Sequence, residues 1–298
     1  MKIVVVDTNL TWSTMSIPTS STSSSSAVNG IPVTAPSSTF QIPSRRAQGL
    51  STTSSSSTMP STASSSNGIS VITKNDQQPQ QQQQPEYVYK LVYFTSRGYA
   101  EVSRLILHYC QIPFQDMRLN TNEWAYFKSQ MPYGKLPLLI FEENQELNDS
   151  KEIAKFLAKR HGLAGKTTLE EIKVDSIIDL RMKFGTEVQS YIALSVSTHP
   201  SLDLRSIREK TFNESFLPAI NKFSPMLIEL LAKTKTSKFF MESGVTVADF
   251  YVAELSDTLG NFYSDFEKKF PQLVQHSKDV HSLPQLEKYL KERSFSKY

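Results

Sequence analysis

Apolar and polar positions divide the chain at about residue 86. Residues 1–85 show neither the period of two typical of strands nor the period of 3.6 typical of helices. Serine and threonine dominate from Thr11 to Ser70, and glutamine dominates from Gln77 to Gln84. Such a segment buries too little apolar surface to offset its backbone entropy, so we predict a disordered extension over 1–85. It is either a regulatory tail phosphorylated on serine, a tether, or an artefact of the assigned start of the reading frame.

The next part of the chain alternates strands with short helices. An apolar run at Tyr89–Phe94 predicts a strand, and apolar residues at Val102, Leu105, Ile106 and Tyr109 predict a helix. The further predicted elements are a strand over 114–119, a helical stretch over 122–130, a strand over 136–141, a short strand at Leu147 and a helix over 150–161. This order is that of a thioredoxin-like unit, which we place at 86–163.

The remainder, 164–298, reads as helical throughout. Thr168 with Glu171 forms a capping-box pattern that opens a long helix, and a second helical stretch covers 204–233. Thr246 with Asp249 forms another capping box, which we interpret as a folding device. The predicted fold class is therefore α+β, a thioredoxin-like domain followed by an all-α bundle.

Charge and composition exclude several classes of function. The net charge is +3, and the basic residues are interleaved with acidic ones, so we expect no nucleic-acid partner. Cys110 is the only cysteine, which excludes an intrachain disulfide and fits a reducing compartment. The sequence has neither an apolar run long enough to span a bilayer nor a signal-peptide core. These features predict a cytoplasmic protein without a membrane partner.

Three short motifs occur in an order that is informative about the protein family. They are Tyr-Phe-x-x-Arg-Gly at 93–98, Tyr-Gly-Lys-Leu-Pro at 133–137 and Asn-Asp-Ser at 148–150. In this order the chain resembles a cytosolic glutathione S-transferase over roughly 87–298. The resemblance is strongest to the sigma class, which includes prostaglandin D synthase and nematode transferases. It implies a homodimer, glutathione as co-substrate and a hydrophobic small-molecule electrophile as the second substrate.

The reaction that this resemblance implies needs the thiolate of glutathione. A free thiol has a pKa of about 8.5, and lowering it to about 6.5 requires roughly 2.7 kcal/mol of preferential thiolate stabilisation. A tyrosine hydroxyl that donates a hydrogen bond to the sulfur supplies part of this energy. Tyr93 matches the catalytic tyrosine of the family. The alternative is an ordinary core aromatic residue in a strand.

The resemblance also assigns the glutathione-binding residues. Trp124 and Lys128 match the pair that holds the glycyl carboxylate, and Pro137 matches the family's cis-proline. Ser150, at a helix start, is expected to receive the γ-glutamyl carboxylate. The full predicted set is Phe94, Trp124, Lys128, Gly134, Lys135, Leu136, Pro137, Asp149 and Ser150.

Three positions depart from the family pattern. Tyr99, assigned to the electrophile pocket, stands where prostaglandin D synthase has an arginine, and Asp149 stands where sigma enzymes have glutamine. Lys183 replaces an aspartate that reaches glutathione from the partner subunit. Asp175 and Asp179 lie on the same helix face, but Met182 and Lys183 interrupt the carboxylates, so we predict no metal site.

Three functions are compatible with these residues. The first is conjugation of glutathione to hydrophobic electrophiles. The second is a glutathione-dependent isomerase or peroxidase of the prostaglandin D synthase type. The third is a binding or structural protein with little turnover, as in the lens S-crystallins. Tyr93, Trp124, Lys128 and Ser150 favour an enzyme, whereas Tyr99 and Lys183 favour the third function.

Overall fold

The computed structural model describes residues 2–6, 12–16, 88–197 and 204–298. Lys2–Val6 (β1) and Trp12–Ser16 (β2) pair as an antiparallel hairpin, which differs from the expected absence of regular structure over 1–85. β-branched residues make up most of the first strand, and such residues favour extended backbone. The rest of the predicted extension lies outside the described residues.

A four-stranded mixed sheet forms the N-terminal half. Its strands are β3 (Tyr89–Phe94), β4 (Phe114–Leu119), β5 (Leu138–Phe141) and β6 (Gln145–Leu147), in the order β4-β3-β5-β6. β3 and β4 are parallel because a helix connects them, whereas β5 is antiparallel to both β3 and β6. The central strands β3 and β5 are mostly buried, and the first motif begins at the end of β3.

Helices flank this sheet and make up the C-terminal half. The first three are α1 (Glu101–Tyr109), α2 (Thr121–Phe127) and α3 (Ser150–Arg160). The others are α4 (Thr168–Val196), α5 (Leu204–Thr211), α6 (Leu217–Leu231), α7 (Val247–Phe262), α8 (Phe266–Lys269), α9 (Pro271–His281) and α10 (Glu287–Glu292). This arrangement confirms the predicted α+β fold class. None of the helices in the described ranges is long and apolar enough to cross a bilayer.

Several element ends differ from the predicted ones. The first helix begins as a 3-10 turn over Gly98–Ala100, and the third strand of the sheet begins at Leu138, one residue after Pro137. Thr167 rather than Thr168 caps α4, because its hydroxyl accepts the N–H of Glu170 at 3.2 Å. The cap of α4 is set by a hydrogen bond and the start of β5 by a proline. The spacing of apolar residues does not reveal either of them.

The capping box of α7 ties the helical half together, as its sequence predicted. The buried Asp249 carboxylate accepts the N–H of Thr246 at 2.7 Å. It also accepts the N–H of Phe240 at 3.0 Å and is 2.9 Å from Nε2 of His276 on α9. The carboxylate therefore closes one helix start and joins α7 to two neighbouring segments.

Candidate functional site

Tyr93 lies at the buried end of β3, with only 3% of its surface exposed. Its hydroxyl oxygen accepts the backbone N–H of Tyr99 at 3.1 Å. Burial raises the pKa of Tyr93 well above its usual range, and this effect outweighs the opposing hydrogen bond from Tyr99. The hydroxyl therefore stays protonated at neutral pH. Because its oxygen already accepts one bond, the O–H proton is available to a ligand.

Gly98 gives the turn after β3 its tight approach to this hydroxyl. Its φ is +46°, in the left-handed region that glycine tolerates. A Cβ atom at this position would lie 2.5 Å from the Tyr93 hydroxyl oxygen and 2.9 Å from the ring carbon Cε1. The glycine of the Arg-Gly motif is therefore required by the position of Tyr93.

We expect Gly98→Ala to lower turnover more than it lowers stability, because the added methyl group displaces the Tyr93 hydroxyl. The backbone strain alone costs about 1 kcal/mol. Gly162→Ala is the matched control, since its φ is +75° but its nearest neighbour would be 3.9 Å away. Urea unfolding and steady-state kinetics of both variants give the comparison. Equal loss of turnover in the two variants would contradict the steric explanation.

Arg104, on α1, fixes the backbone of the same turn. It is fully buried, and its guanidinium donates to the carbonyl oxygens of Phe94 at 3.1 Å and of Ser96 at 3.0 Å. Ion pairs to Glu101 at 3.0 Å and to Asp116 at 3.1 Å neutralise its charge. The position of this turn therefore depends on one buried side chain.

A buried charge network joins this turn to the helical half. Arg97 donates to Glu254 of α7 at 2.6 Å, and Arg293 contacts both Glu254 at 3.0 Å and Glu101 at 2.8 Å. The buried Glu254 carboxyl has its pKa lowered to about 2: desolvation opposes this shift, but His281, Arg97 and Arg293 outweigh it. The charges of the network are thus paired across the two halves.

Aromatic contacts connect Tyr93 to the predicted glycyl end of the site. The ring centroid of Phe94 lies 5.4 Å from that of Tyr93 and 5.7 Å from that of Trp124. Lys128 and Gly134 line one surface depression, and a Cβ at Gly134 would lie 3.8 Å from carbons of the lysine side chain. These predicted residues are therefore brought together at one end of β3.

The loop before β5 contains the cis peptide bond between Leu136 and Pro137, as the resemblance implied. Asn148 holds this loop, since its side-chain nitrogen donates to the carbonyl oxygens of Lys135 at 2.9 Å and Pro137 at 3.0 Å. No described residue hydrogen-bonds the backbone N–H or C=O of Leu136. The N–H and C=O groups of Leu136 therefore have no partner among the described residues and can hydrogen-bond a peptide ligand.

Asp149 and Ser150 form the start of α3. The Asp149 carboxylate accepts the N–H groups of Lys151 at 2.9 Å and Glu152 at 3.1 Å, so Asp149 is the helix cap. The Ser150 carbonyl accepts the Tyr251 hydroxyl of α7 at 3.4 Å. This bond ties the first turn of α3 to α7.

Lys183 is exposed on α4 and makes no ion pair with any described residue. Asp179, one turn away on the same helix, pairs with Lys151 of α3 at 2.7 Å rather than with Lys183. Asp175 likewise pairs with Lys155 at 3.1 Å. The prediction of no metal at these carboxylates, and the assignment of Lys183 to a partner subunit, both stay predictions.

Sequence reasoning missed three residues of the site. Arg104 and Asn148 position the loops, and Arg181 of α4 lies 5.4 Å from the centroid of the Tyr251 ring. Arg104 carried a signal, since it is a charged residue between the apolar positions of a helix. Asn148 immediately precedes Asp149 and was read only as part of the motif.

The fold and this site together define a two-domain protein with a thioredoxin-like half and a helical half. Its residues 98–160 match the family description "Glutathione S-transferase, N-terminal domain", and residues 203–293 match "Glutathione S-transferase, C-terminal domain". The chain belongs to the glutathione S-transferase family.

Several relatives resemble the chain over most of their own length. Glutathione S-transferase 1 of Ascaris suum is 33% identical over 210 residues, 70% of this chain and 98% of that protein. Hematopoietic prostaglandin D synthase of Gallus gallus is 32% identical over 205 residues, 69% of this chain and 96% of that protein. The crystal structure of the glutathione S-transferase from Ascaris lumbricoides has a TM-score of 0.64 at 33% identity, covering 70% of this chain and 99% of that one.

Proposed function

We propose that this protein is a sigma-like glutathione transferase that conjugates glutathione to hydrophobic electrophiles. The observation that carries the proposal is the geometry of Tyr93, whose hydroxyl accepts the Tyr99 N–H at 3.1 Å. This bond holds the oxygen and leaves the hydroxyl proton for a ligand. The family uses glutathione as co-substrate, and the relatives named as transferases support the same reaction here.

The first step is stabilisation of the glutathione thiolate. The protonated Tyr93 hydroxyl donates a hydrogen bond to the sulfur and favours its ionised form. Tyr93 does not act as a base, because burial raises the pKa of its hydroxyl. The thiolate then attacks the electrophilic carbon and forms a carbon–sulfur bond. With an aryl chloride the displaced chloride carries away the electron pair.

In the proposed complex, glutathione binds along the predicted site residues, from Trp124 to Ser150. Trp124 and Lys128 bind the glycyl carboxylate, and the backbone of Leu136 pairs with the cysteinyl amide. Ser150, the first residue of α3, receives the γ-glutamyl carboxylate, since a helix N-terminus favours anions. Phe94, Gly134, Lys135 and Pro137 shape the walls between these anchors.

A second candidate is an isomerase or peroxidase of the prostaglandin D synthase type. Relatives with that name are about as similar to this chain as the named transferases, at 32% identity in the bird and human proteins. Tyr99 weighs against it, because this position carries an arginine in that enzyme. A catalytically weak binding protein is the third candidate.

Capture on immobilised glutathione, followed by assay with a chloronitrobenzene electrophile, separates these functions. Retention on glutathione with turnover supports the conjugating enzyme. Retention without turnover, while an endoperoxide substrate is isomerised, supports the second candidate. Retention with neither activity leaves the binding protein.

We also propose that the protein acts as a cytoplasmic homodimer in detoxification. Lys183 is exposed on α4 and is therefore available to a second subunit. Asp149 uses its Oδ1 atom as the helix cap, which leaves Oδ2 for the glutathione ammonium. The negative charge that other sigma enzymes supply from the partner would then come from the home chain.

This arrangement predicts coupling between Asp149 and Lys183. We expect Lys183→Asp alone to weaken glutathione binding, because two carboxylates then crowd the γ-glutamyl end. Asp149→Gln combined with Lys183→Asp restores the usual sigma pattern and recovers the affinity. A double-mutant cycle on the glutathione dissociation constant measures the coupling.

The control for this cycle is Asp149→Asn, which removes the charge but keeps a good helix cap. Asp149→Gln also removes the charge, but it loses the helix cap, which contributes about 1 kcal/mol to stability. A coupling energy within about 0.3 kcal/mol of zero means that the two positions are independent, and the cross-subunit arrangement is then wrong.

A further inference from the structure

We propose that Arg181 is the anion-binding residue of the electrophile site and that it selects hydrophobic electrophiles carrying a carboxylate. This inference rests on the proposed conjugating function and names its substrate class. Arg181 lies in the middle of α4, where its guanidinium faces the Tyr251 ring of α7.

The guanidinium of Arg181 lacks a countercharge. Its Cζ atom lies 5.4 Å from the Tyr251 ring centroid, and its Nη1 contacts the Met182 sulfur at 3.6 Å. Its Nε is buried without a hydrogen-bond partner, and no acidic group of the described residues forms an ion pair with it. The contacts of Arg181 within the chain are therefore aromatic and apolar, with one weak acceptor.

The two buried arginines among the described residues, Arg97 and Arg104, are paired. Arg97 contacts Glu254 at 2.6 Å, and Arg104 contacts Glu101 at 3.0 Å. Glu254 is also electrostatically coupled to Arg181, but it already binds Arg97 and Arg293. An arginine stays protonated in proteins, and an unpaired charge removed from water is costly. The bound anion of a ligand would supply the missing partner of Arg181.

The neighbours of Arg181 connect this charge to the start of α3 and to the turn that holds Tyr93. Tyr251, under the guanidinium, donates its hydroxyl to the Ser150 carbonyl at 3.4 Å. Tyr99, which is electrostatically coupled to Arg181, donates its backbone N–H to the Tyr93 hydroxyl. Arg181 thus lies between the start of α3 and the catalytic turn, on the side contributed by the helical half.

Gly185, one turn along α4, leaves room for the guanidinium. A Cβ at this position would lie 3.2 Å from the Nη1 atom of Arg181. Arg181 is also only partly buried, so an anion can reach it from solvent. The guanidinium is therefore accessible to a ligand group and lies beside an aromatic ring.

The carboxylates of glutathione are not the expected occupants. Lys128 is assigned to the glycyl carboxylate and the start of α3 to the γ-glutamyl carboxylate. Arg181 therefore remains for the second substrate. Its aromatic neighbours Tyr99 and Tyr251 suit an apolar body, and the guanidinium suits a carboxylate, with which it forms two parallel hydrogen bonds.

Ethacrynic acid and its methyl ester test this inference. In both, the thiolate forms a bond to the terminal alkene carbon, and the resulting enolate takes a proton from solvent, so no group leaves. The reacting enone is the same, and only the acid carries a charge. We expect Arg181→Met to lower the acid-to-ester ratio of kcat/KM by about tenfold or more, the effect of losing one charge-assisted contact. The value of kcat/KM for the ester and the KM for glutathione should change little.

Lys173→Met is the matched control, since it removes one exposed positive charge from the same helix and should leave the ratio unchanged. Arg181→Gln replaces Arg181→Met if the latter does not fold. An unchanged ratio in the Arg181 variant overturns the inference and leaves the conjugating function standing. An increase in the KM for glutathione with both electrophiles also overturns it, because Arg181 would then bind glutathione.

Absence of turnover in the wild-type protein overturns the proposed function instead. Calorimetric titration of ethacrynic acid in the presence of S-methylglutathione then decides the inference separately. Binding that is about tenfold weaker in Arg181→Met supports the carboxylate site, and equal binding overturns it.

Discussion

Tyr93→Phe is expected to lower turnover at pH 7 by about 10- to 100-fold while glutathione binding stays within a few-fold. A hydrogen bond to a charged group contributes about 1.5–3 kcal/mol, and this energy acts on the thiolate rather than on the rest of glutathione. Steady-state kinetics with a chloronitrobenzene electrophile, together with a glutathione titration, measure both quantities. The fold should be retained, because phenylalanine fills the same buried space.

Tyr126→Phe serves as the control for this variant. Tyr126 is 48% exposed on α2, and we expect its replacement to change neither quantity. Turnover of Tyr93→Phe equal to that of the wild type would remove Tyr93 from the mechanism. A large loss of glutathione affinity would instead assign Tyr93 a binding role.

Arg104→Met should have the largest effect on stability. The substitution removes the buried partner of Glu101 and the anchors of the carbonyl oxygens of Phe94 and Ser96. Removing one partner of a buried ion pair costs about 3–5 kcal/mol. Urea unfolding measures this loss, and turnover should fall with it because the catalytic turn loses its support.

Arg118→Met provides a close comparison for Arg104. Arg118 pairs with Asp116 at 2.8 Å, as Arg104 does at 3.1 Å, but its side chain is 27% exposed. Exposed pairs contribute at most about 1 kcal/mol, so we expect only a small change. Equal destabilisation by the two substitutions would mean that the buried contacts of Arg104 do not stabilise the turn.

The sequence predicted the elements whose signal is local. The apolar run of β3, the capping box at Thr246 and the order of strands and helices were each visible in residues close together in the chain. The predicted fold class is confirmed. The domain limits at 85/86 and 163/164 and the roles of the site residues stay predictions.

What the sequence could not predict depends on contacts between distant residues. Arg104 reaches Asp116 only because β3 and β4 pair in parallel, and Arg97 reaches Glu254 only when α7 packs on the first domain. Arg181 reads as an ordinary charged residue of a long helix. Its lack of a countercharge among the described residues emerges only once α7 is in place.

The central claim is that the Tyr93 hydroxyl stabilises the thiolate of bound glutathione. Ultraviolet absorbance of the thiolate, followed against pH with glutathione bound to the wild type and to Tyr93→Phe, tests it directly. The account predicts a pKa of about 6.5 for the bound thiol in the wild type, below the value of about 8.5 for a free thiol. It predicts that the pKa rises by about one to two units in the variant. The same thiol pKa in both proteins would contradict the account.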